Sequence, residues 1–317
     1  MAKSLNAEIV SCDSRQIYKG LPALCDTPKG AWRKTNGHRL FLSKNNIPYH
    51  LVDKLEPWQR WDAHKFSKEA ARTIKNVLKK KKWAIVAGGS GFYFRSIFSG
   101  LSELPKIKPG LRKKIANDLK RYGLERLISR LVKIDPQTAS KIDTKNPRRV
   151  SRALELCLAI KGKLSTHLKN RNIKPACSYP YIAFYIDWPK NLLDKRIESR
   201  LRANISRMLK EMNSLKKRFN SRRMRSLPLF ESIGAKALYQ HSCAAMERND
   251  ALAQTLKSTK QYSKRQRTWF KKEKDLIPIS IRSKALRDKS YLLKYISGSI
   301  LAHVRTNGES GETLWKK

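Results

Sequence analysis

Residues Trp83-Ala84-Ile85-Val86-Ala87 are apolar without interruption and run straight into Gly88-Gly89-Ser90-Gly91. An apolar run with no polar alternation is the pattern of a strand buried on both faces, as in a parallel sheet covered by helices. The glycines behind it let a backbone come close to a ligand, and Ser90 adds a hydroxyl. A stretch near the start repeats this layout. Glu8-Ile9-Val10 has strand character and passes at Ser11 into the polar loop Cys12-Asp13-Ser14-Arg15-Gln16, which puts Asp13 just past the carboxyl end of a strand. Open α/β sheets bind ligands at that end. A lone aspartate there is also an ordinary turn or cap residue, so position alone leaves both roles open.

The rest of the chain fills in around these two stretches. Ala63, Phe66, Ala70, Ile74 and Val77 recur at helical spacing, which predicts a helix over 63–78 with one face on the sheet. A helix is also predicted over 91–99. From Pro109 the pattern turns wholly helical, over 111–119, 124–132, a helix opened by Asp135-Pro136, and 147–160. No strand-like run interrupts it, so residues 106–178 are predicted to form a helical subdomain inserted between two parts of an α/β core, 1–105 and 179–317. Strand character returns at 181–186 and at 277–281 in spite of Pro278. Basic helices are predicted over 192–219 and 254–272, and a last helix over 292–304. Residues 21–46 read as an irregular surface loop, and the tail beyond Arg305 as polar and frayed.

Lys and Arg number 70 against 25 Asp and Glu, a formal net charge of +45. Such a surplus favours a polyanionic partner through phosphate contacts and counterion release, unless the lysines are simply spread over solvated faces. The five cysteines form no Cys-x-x-Cys pair and read as free thiols of a reducing, cytoplasmic compartment. No apolar run approaches a membrane span, and the first residues lack the apolar core of a secretory signal. A soluble protein that keeps clear of membranes is the expectation.

Four blocks taken together carry a family resemblance. Asp13-Ser14-Arg15-Gln16-Ile17-Tyr18, Gly88-Gly89-Ser90, Arg152-Ala153-Leu154-Glu155 and Thr259-Lys260-Gln261-Tyr262-Ser263-Lys264-Arg265-Gln266-Arg267-Thr268-Trp269-Phe270 stand in this order over most of the chain. Together they resemble the tRNA dimethylallyltransferase family. The resemblance implies a P-loop NTPase-like parallel-sheet core with a helical insertion that grips the tRNA anticodon stem-loop. It further implies Mg²⁺ as cofactor, and a monomer that transfers a dimethylallyl group from dimethylallyl diphosphate to N6 of adenosine 37. Asp13 and Ser90 would be catalytic, with Asp13 as general base, and Arg200 would bind the diphosphate. Contacts to tRNA would come from Asp13, Ser14, Arg15, Gln16, Ser90, Arg112, Arg148, Arg149, Val150, Ser151, Arg152, Lys236, Lys264, Arg265, Gln266 and Trp269.

Departures from the family pattern are as specific as the matches. Family members open with a strand and a Gly-rich phosphate loop of the G-x-x-x-x-G-K-[ST] type, and no such motif occurs in the 317 residues. The first residues read as only the tail of the helix that follows such a loop. Ser90 stands for the family's threonine, Ala235 for a tyrosine and Lys260 for an arginine. Two expectations follow: an active transferase, or a truncated and inactive tRNA-binding remnant of one.

Overall fold

The computed structural model describes residues 1–35, 38–102, 104–169, 173–281 and 289–309. It divides into two compact units, one made of Met1–Phe98 with Ala176–Lys317 and the other of Ser99–Pro175.

The first unit opens with turns at 1–6 where a helix tail is expected; the Ala7 amide donates back to the Ala2 carbonyl at 2.8 Å. Strands β1 (Ala7–Ser11), β2 (Gly30–Thr35), β3 (His38–Ser43), β4 (Pro48–His50) and β5 (Trp83–Ala87) form one sheet in the order β2-β3-β4-β1-β5. β1 runs parallel to both β4 and β5, in register Ala7 to Trp83 through Ser11 to Ala87. β3 is antiparallel to both β2 and β4, so the sheet is mixed rather than wholly parallel. The segment 21–46 is therefore not simply an irregular loop. Trp32 and Phe41 face each other across β2 and β3 with ring centroids 5.9 Å apart, and the Trp32 indole donates to Asp53 at 2.6 Å. Between the strands stand Asn36 and Gly37, outside the described residues.

Helix α1 (Ala63–Lys79) begins at Asp62, whose carboxylate accepts from the Lys65 amide at 2.8 Å. Its predicted apolar face is buried, and Phe66 stacks on Tyr93 of α2 (Gly91–Phe98).

The second unit is helical, as the pattern from Pro109 predicts. Helix α3 (Pro109–Ile134) joins the two expected helices across a break at Gly123, whose φ of 76° is one that favours glycine. α4 (Pro136–Lys141) is capped by Asp135, α5 (Pro147–Ile160) by Asn146, and α6 (Leu164–Lys169) follows. Asp135 is fully buried, yet it accepts from Thr138 and Ser165 through both oxygens; those bonds outweigh burial and hold its pKa at about 2. Ile115, Leu127, Leu131, Val150, Leu154 and Cys157 form the core.

Back in the first unit, β6 (Ala183–Asp187) pairs in parallel with β7 (Leu276–Ser280) as a separate two-stranded sheet. Pro278 is tolerated because β7 has one partner strand among the described residues. The long helix α7 (Lys190–Arg218) buries Leu201, Ile205, Met208, Met212 and Leu215 against α8 (Ser221–Ser226), α9 (Ala235–Ser242), and the residues just after Asp13, namely Ile17, Tyr18, Leu21 and Leu24. Helix α10 (Arg248–Phe270) lies on α7 and α9, and α11 (Lys289–Glu309) packs Leu292 on Ile279 and Ile281. The tail from residue 310 lies outside the described residues. No described helix is long and apolar enough to cross a membrane.

β5 departs from expectation. Its apolar run predicts a strand covered on both sides, but it is the last strand of its sheet and its residues are only partly buried. Among the described residues no strand pairs with its outer edge.

Candidate active site

The acid loop and the glycine turn are tied together where β1 and β5 end. The Cys12 amide donates to the Ala87 carbonyl at 2.8 Å and the Ser90 amide to the Cys12 carbonyl at 3.2 Å. A Cβ on Gly88 would lie 2.1 Å from the Cys12 carbonyl oxygen, so the two backbones meet this closely only with glycine there.

Asp13 Oδ1 accepts from the amides of Arg15 at 2.7 Å and Gln16 at 3.4 Å. This is the turn-forming role that a lone aspartate favours. Among the described residues Oδ2 has no hydrogen-bond partner, so half of the carboxylate is free for chemistry. Burial pushes the Asp13 pKa up, and the two amide bonds offset part of that rise. Ser90 Oγ accepts from the Ser14 amide at 3.0 Å and donates to Ser14 Oγ at 3.3 Å, which brings the hydroxyl into the same loop.

The side chains of Arg15 and Gln16 turn inward and brace the loop. Arg15 donates to the Pro228 carbonyl at 3.0 Å, and Gln16 accepts from Ser11 at 2.9 Å while donating to the Asp26 carbonyl at 3.0 Å. Asp26 also holds Arg200, with Nη1 2.5 Å from its carboxylate. Helix α10 closes over the glycine turn. Gln266 donates to the Gly89 carbonyl at 2.7 Å and Tyr262 donates to it at 3.4 Å, while the Trp269 ring lies where a Cβ on Gly91 would sit. Arg265 stands over the Tyr262 ring and Arg95 over the Trp269 ring. Lys264 and Lys236 point to solvent.

Asp13, Ser14, Arg15, Gln16, Arg200, Tyr262, Arg265 and Gln266 line one cavity of about 1610 Å³. Two of its lining residues that contact these candidates, Tyr262 and Asp26, are not among those the sequence singles out. Tyr262 lies inside the quoted basic block, which is the available signal; nothing local in the sequence marks Asp26 as the partner of Arg200.

The remaining candidates sit in the helical unit. Arg112 and Arg152 share Glu155 at 3.9 and 3.3 Å, Arg149 reaches Asp143 at 3.7 Å, and Arg148 is exposed. Ser151 is half-buried. Val150 is a correction: its side chain is fully buried in the core of this unit and is not available to touch RNA.

Among the described residues the cavity side chains form no dedicated cage for Mg²⁺. No group of three or more His, Cys, Asp or Glu side chains is placed for a metal among the described residues. Of the cavity carboxylates, Asp13 is half-committed to backbone amides, Asp26 to Arg200, and Glu231 to Arg60 at 3.3 Å. Mg²⁺ characteristically takes one or two carboxylates plus substrate phosphates.

A half-buried, half-free carboxylate at a strand end, with the Ser14 hydroxyl and Arg200 lining the same cavity, suits an α/β group-transfer enzyme. Comparison with known proteins narrows the class. The family described as IPP transferase matches residues 16–273, and the chain belongs to that family. The tRNA dimethylallyltransferase of Elusimicrobium minutum is 34% identical over 276 residues, 87% of each chain. That of Thermus thermophilus is 31% identical over 275 residues, 86% of this chain and 84% of the relative. The solved tRNA delta(2)-isopentenylpyrophosphate transferase of Staphylococcus epidermidis superposes with a TM-score of 0.56 at 25% identity, over 95% of this chain and 92% of that one. A solved eukaryotic dimethylallyltransferase acting on tRNA shares the fold with a TM-score of 0.71 at 21% identity, over 95% and 75%. The core is thus of the P-loop NTPase-like α/β type.

Proposed function

We propose that the chain transfers a dimethylallyl group from dimethylallyl diphosphate to the exocyclic N6 of adenosine 37, beside the tRNA anticodon. The observation that carries this reading is the free Oδ2 of half-buried Asp13, tied through Ser14 to Ser90, in a chain of the IPP transferase family.

An exocyclic purine amine is a poor nucleophile. As the new N–C bond forms, the C–O bond to the diphosphate breaks and its electron pair leaves with the diphosphate. Asp13 Oδ2 takes the proton that N6 loses. Ser90 positions the amine, and Arg200, once released from Asp26, meets the charge of the departing diphosphate. The adenosine must be turned out of its stack to reach this cavity.

The helical unit is the second half of the proposal. Arg112, Arg148, Arg149 and Arg152 hold the anticodon stem-loop through phosphates and splayed bases, with Lys236, Lys264 and Arg265 adding charge in the other unit. The chain's five cysteines are free, which supports a reducing, cytoplasmic setting, and a monomer satisfies the chemistry.

Incubation of this 317-residue chain with labelled dimethylallyl diphosphate, Mg²⁺ and unmodified tRNA is the direct test. Label on adenosine 37 is the expected result. Salt-sensitive tRNA binding with no transfer would overturn this reading for the 317-residue chain.

A further inference from the structure

We propose that the hairpin of β2 and β3 is a further RNA-contact element, in which Lys34 and Arg39 hold phosphates of the RNA strand next to the nucleotide that enters the Asp13 cavity. The inference rests on the proposed reading that tRNA is the acceptor. It adds a surface that lies outside the four sequence blocks carrying the family resemblance.

The hairpin is cationic without counterions. Between Asp26 and Asp53 the sequence has no acidic residue, but it has Lys29, Arg33, Lys34, Arg39 and Lys44. All five are exposed, and among the described residues none of them forms an ion pair. Lys34 stands directly opposite Arg39 in the strand register. Like charges in that relation oppose pairing, so the arrangement costs stability unless an anion lies between them. Basic side chains also guard an edge strand such as β2 against pairing with another chain. That role is served anywhere along the edge and does not call for two cations facing each other across the hairpin.

The facing pair is at the end of the sheet where the acid loop begins. Phe41 of β3 pairs with Tyr49 of β4, which pairs with Ile9 of β1. Arg39, two residues from Phe41 towards the carboxyl end of β4, is therefore level with Ser11. Strand spacings of about 4.8 Å put β2 on the order of 15 Å from β1, a distance that RNA spans within a few nucleotides. The pair is also held in place. Arg39 lies over the Trp32 ring at 5.5 Å, and the Trp32 indole donates to Asp53. Asp53 in turn accepts from the Gly20 amide at 2.8 Å, and its own amide donates to the Gln16 carbonyl at 2.8 Å. Hairpin and acid loop are thus fixed to each other through one residue. Lys29 and Lys44 flank the opposite end, where the Lys44 amide donates to the Lys29 carbonyl at 3.0 Å.

That division supplies the test. Binding of unmodified tRNA is measured from about 50 to 200 mM salt for the wild type, for Lys34→Thr with Arg39→Thr, and for Lys29→Thr with Lys44→Thr. Each variant removes two charges from the same hairpin, and threonine keeps strand character. The slope of log K against log salt is expected to fall by about two in the first variant and to stay unchanged in the second. Melting temperatures monitor the fold; if the first variant melts early, Lys34→Gln with Arg39→Gln is read in its place. Equal slopes in all three chains would overturn the proposal and leave the cations as guards of the edge. Equal falls in both variants would overturn it too, since the hairpin would then act only as a diffuse field. A wild type that does not bind tRNA is a separate outcome, which would overturn the proposed acceptor and this inference with it.

Discussion

In the proposed reaction Asp13 would do two jobs with two oxygens, and a substitution that separates them is the sharpest test of its role. Asp13→Asn still offers an amide oxygen to the Arg15 and Gln16 backbone N–H groups, so it keeps the turn but has no carboxylate to take a proton. Turnover is expected to fall by about 10²–10⁴, the usual worth of a general base, with tRNA affinity unchanged in a filter-binding assay. A loss of binding equal to the loss of turnover would make Asp13 a positioning residue only. The pH profile carries the same information. Burial raises the Asp13 pKa, so the base form is lost on acidification sooner than for an ordinary carboxylate. The acid limb of kcat/KM in the wild type is expected above the normal aspartate range, and it should vanish from the residual activity of Asp13→Asn. Arg200 gives a second test at this scale. Its pair with Asp26 is more than half exposed on both sides, and such pairs are worth only about 0–1 kcal/mol. A diphosphate bound as proposed would displace Asp26 easily, and Asp26→Asn should lower KM for dimethylallyl diphosphate by at most about fivefold, whereas Arg200→Ala should raise it.

At the scale of elements, β1 depends on a buried charge at the end opposite the acid loop. Glu8 is only 2% exposed, and its carboxylate accepts from His50 Nε2 at 2.7 Å and Lys82 at 3.0 Å, with Lys80 at 3.5 Å. The His50 bond is the largest influence, and with the lysines it overcomes burial and holds the Glu8 pKa at about 2. Its folded pKa lies below the unfolded one, so the stabilisation is complete above the unfolded pKa of about 4.5 and disappears as pH falls from there towards about 2. Its size is on the order of 3 kcal/mol. Urea unfolding at pH 6 and pH 3 should show a loss of about 2 kcal/mol in the wild type, the remainder going only below pH 3, and a much smaller loss in Glu8→Gln; equal losses would mean that other groups govern the acid limb. Glu8 also shows what a sequence hides: within Glu8-Ile9-Val10 it reads as a strand residue, and its partners lie 42 and 74 positions away. What is legible has local causes. The helix over 147–160 is read from its spacing and from Pro147, and the Asp13 loop from the change from apolar to polar residues. The hairpin at β2 and β3 is hidden because Arg33, Lys34 and Arg39 mask its period-two alternation. The two halves of α3 read as separate helices because Gly123 is a chain break in sequence but only a kink in space. The edge position of β5 is illegible for a different reason, since strand order is a property of topology and no residue encodes it alone.

The charge of +45 belongs to the molecule as a whole, and its meaning turns on whether it is clustered or dispersed. Clustered cations that neutralise about six to ten phosphates make affinity fall by about 10³–10⁵ between roughly 50 and 200 mM salt, whereas dispersed lysines contribute little to any one complex. The helical unit holds a group suited to the first case: Arg148 and Arg149 are exposed at the start of α5, and Arg112 and Arg152 share the single carboxylate of Glu155. An arginine that contacts a phosphate contributes about one unit to the slope of log K against log salt. Arg148→Ala combined with Arg149→Ala is therefore expected to lower that slope by about two for unmodified tRNA, as measured by binding at a series of salt concentrations. Lys75→Ala, at an exposed position of α1, should leave the slope unchanged. Equal small effects from both variants would mean that the surplus charge acts as a diffuse field, and that the grip on the anticodon stem-loop lies elsewhere than in the α5 arginines. A change confined to the double variant, with the melting temperature preserved, would locate the grip in the helical unit and leave the α/β unit to perform the transfer.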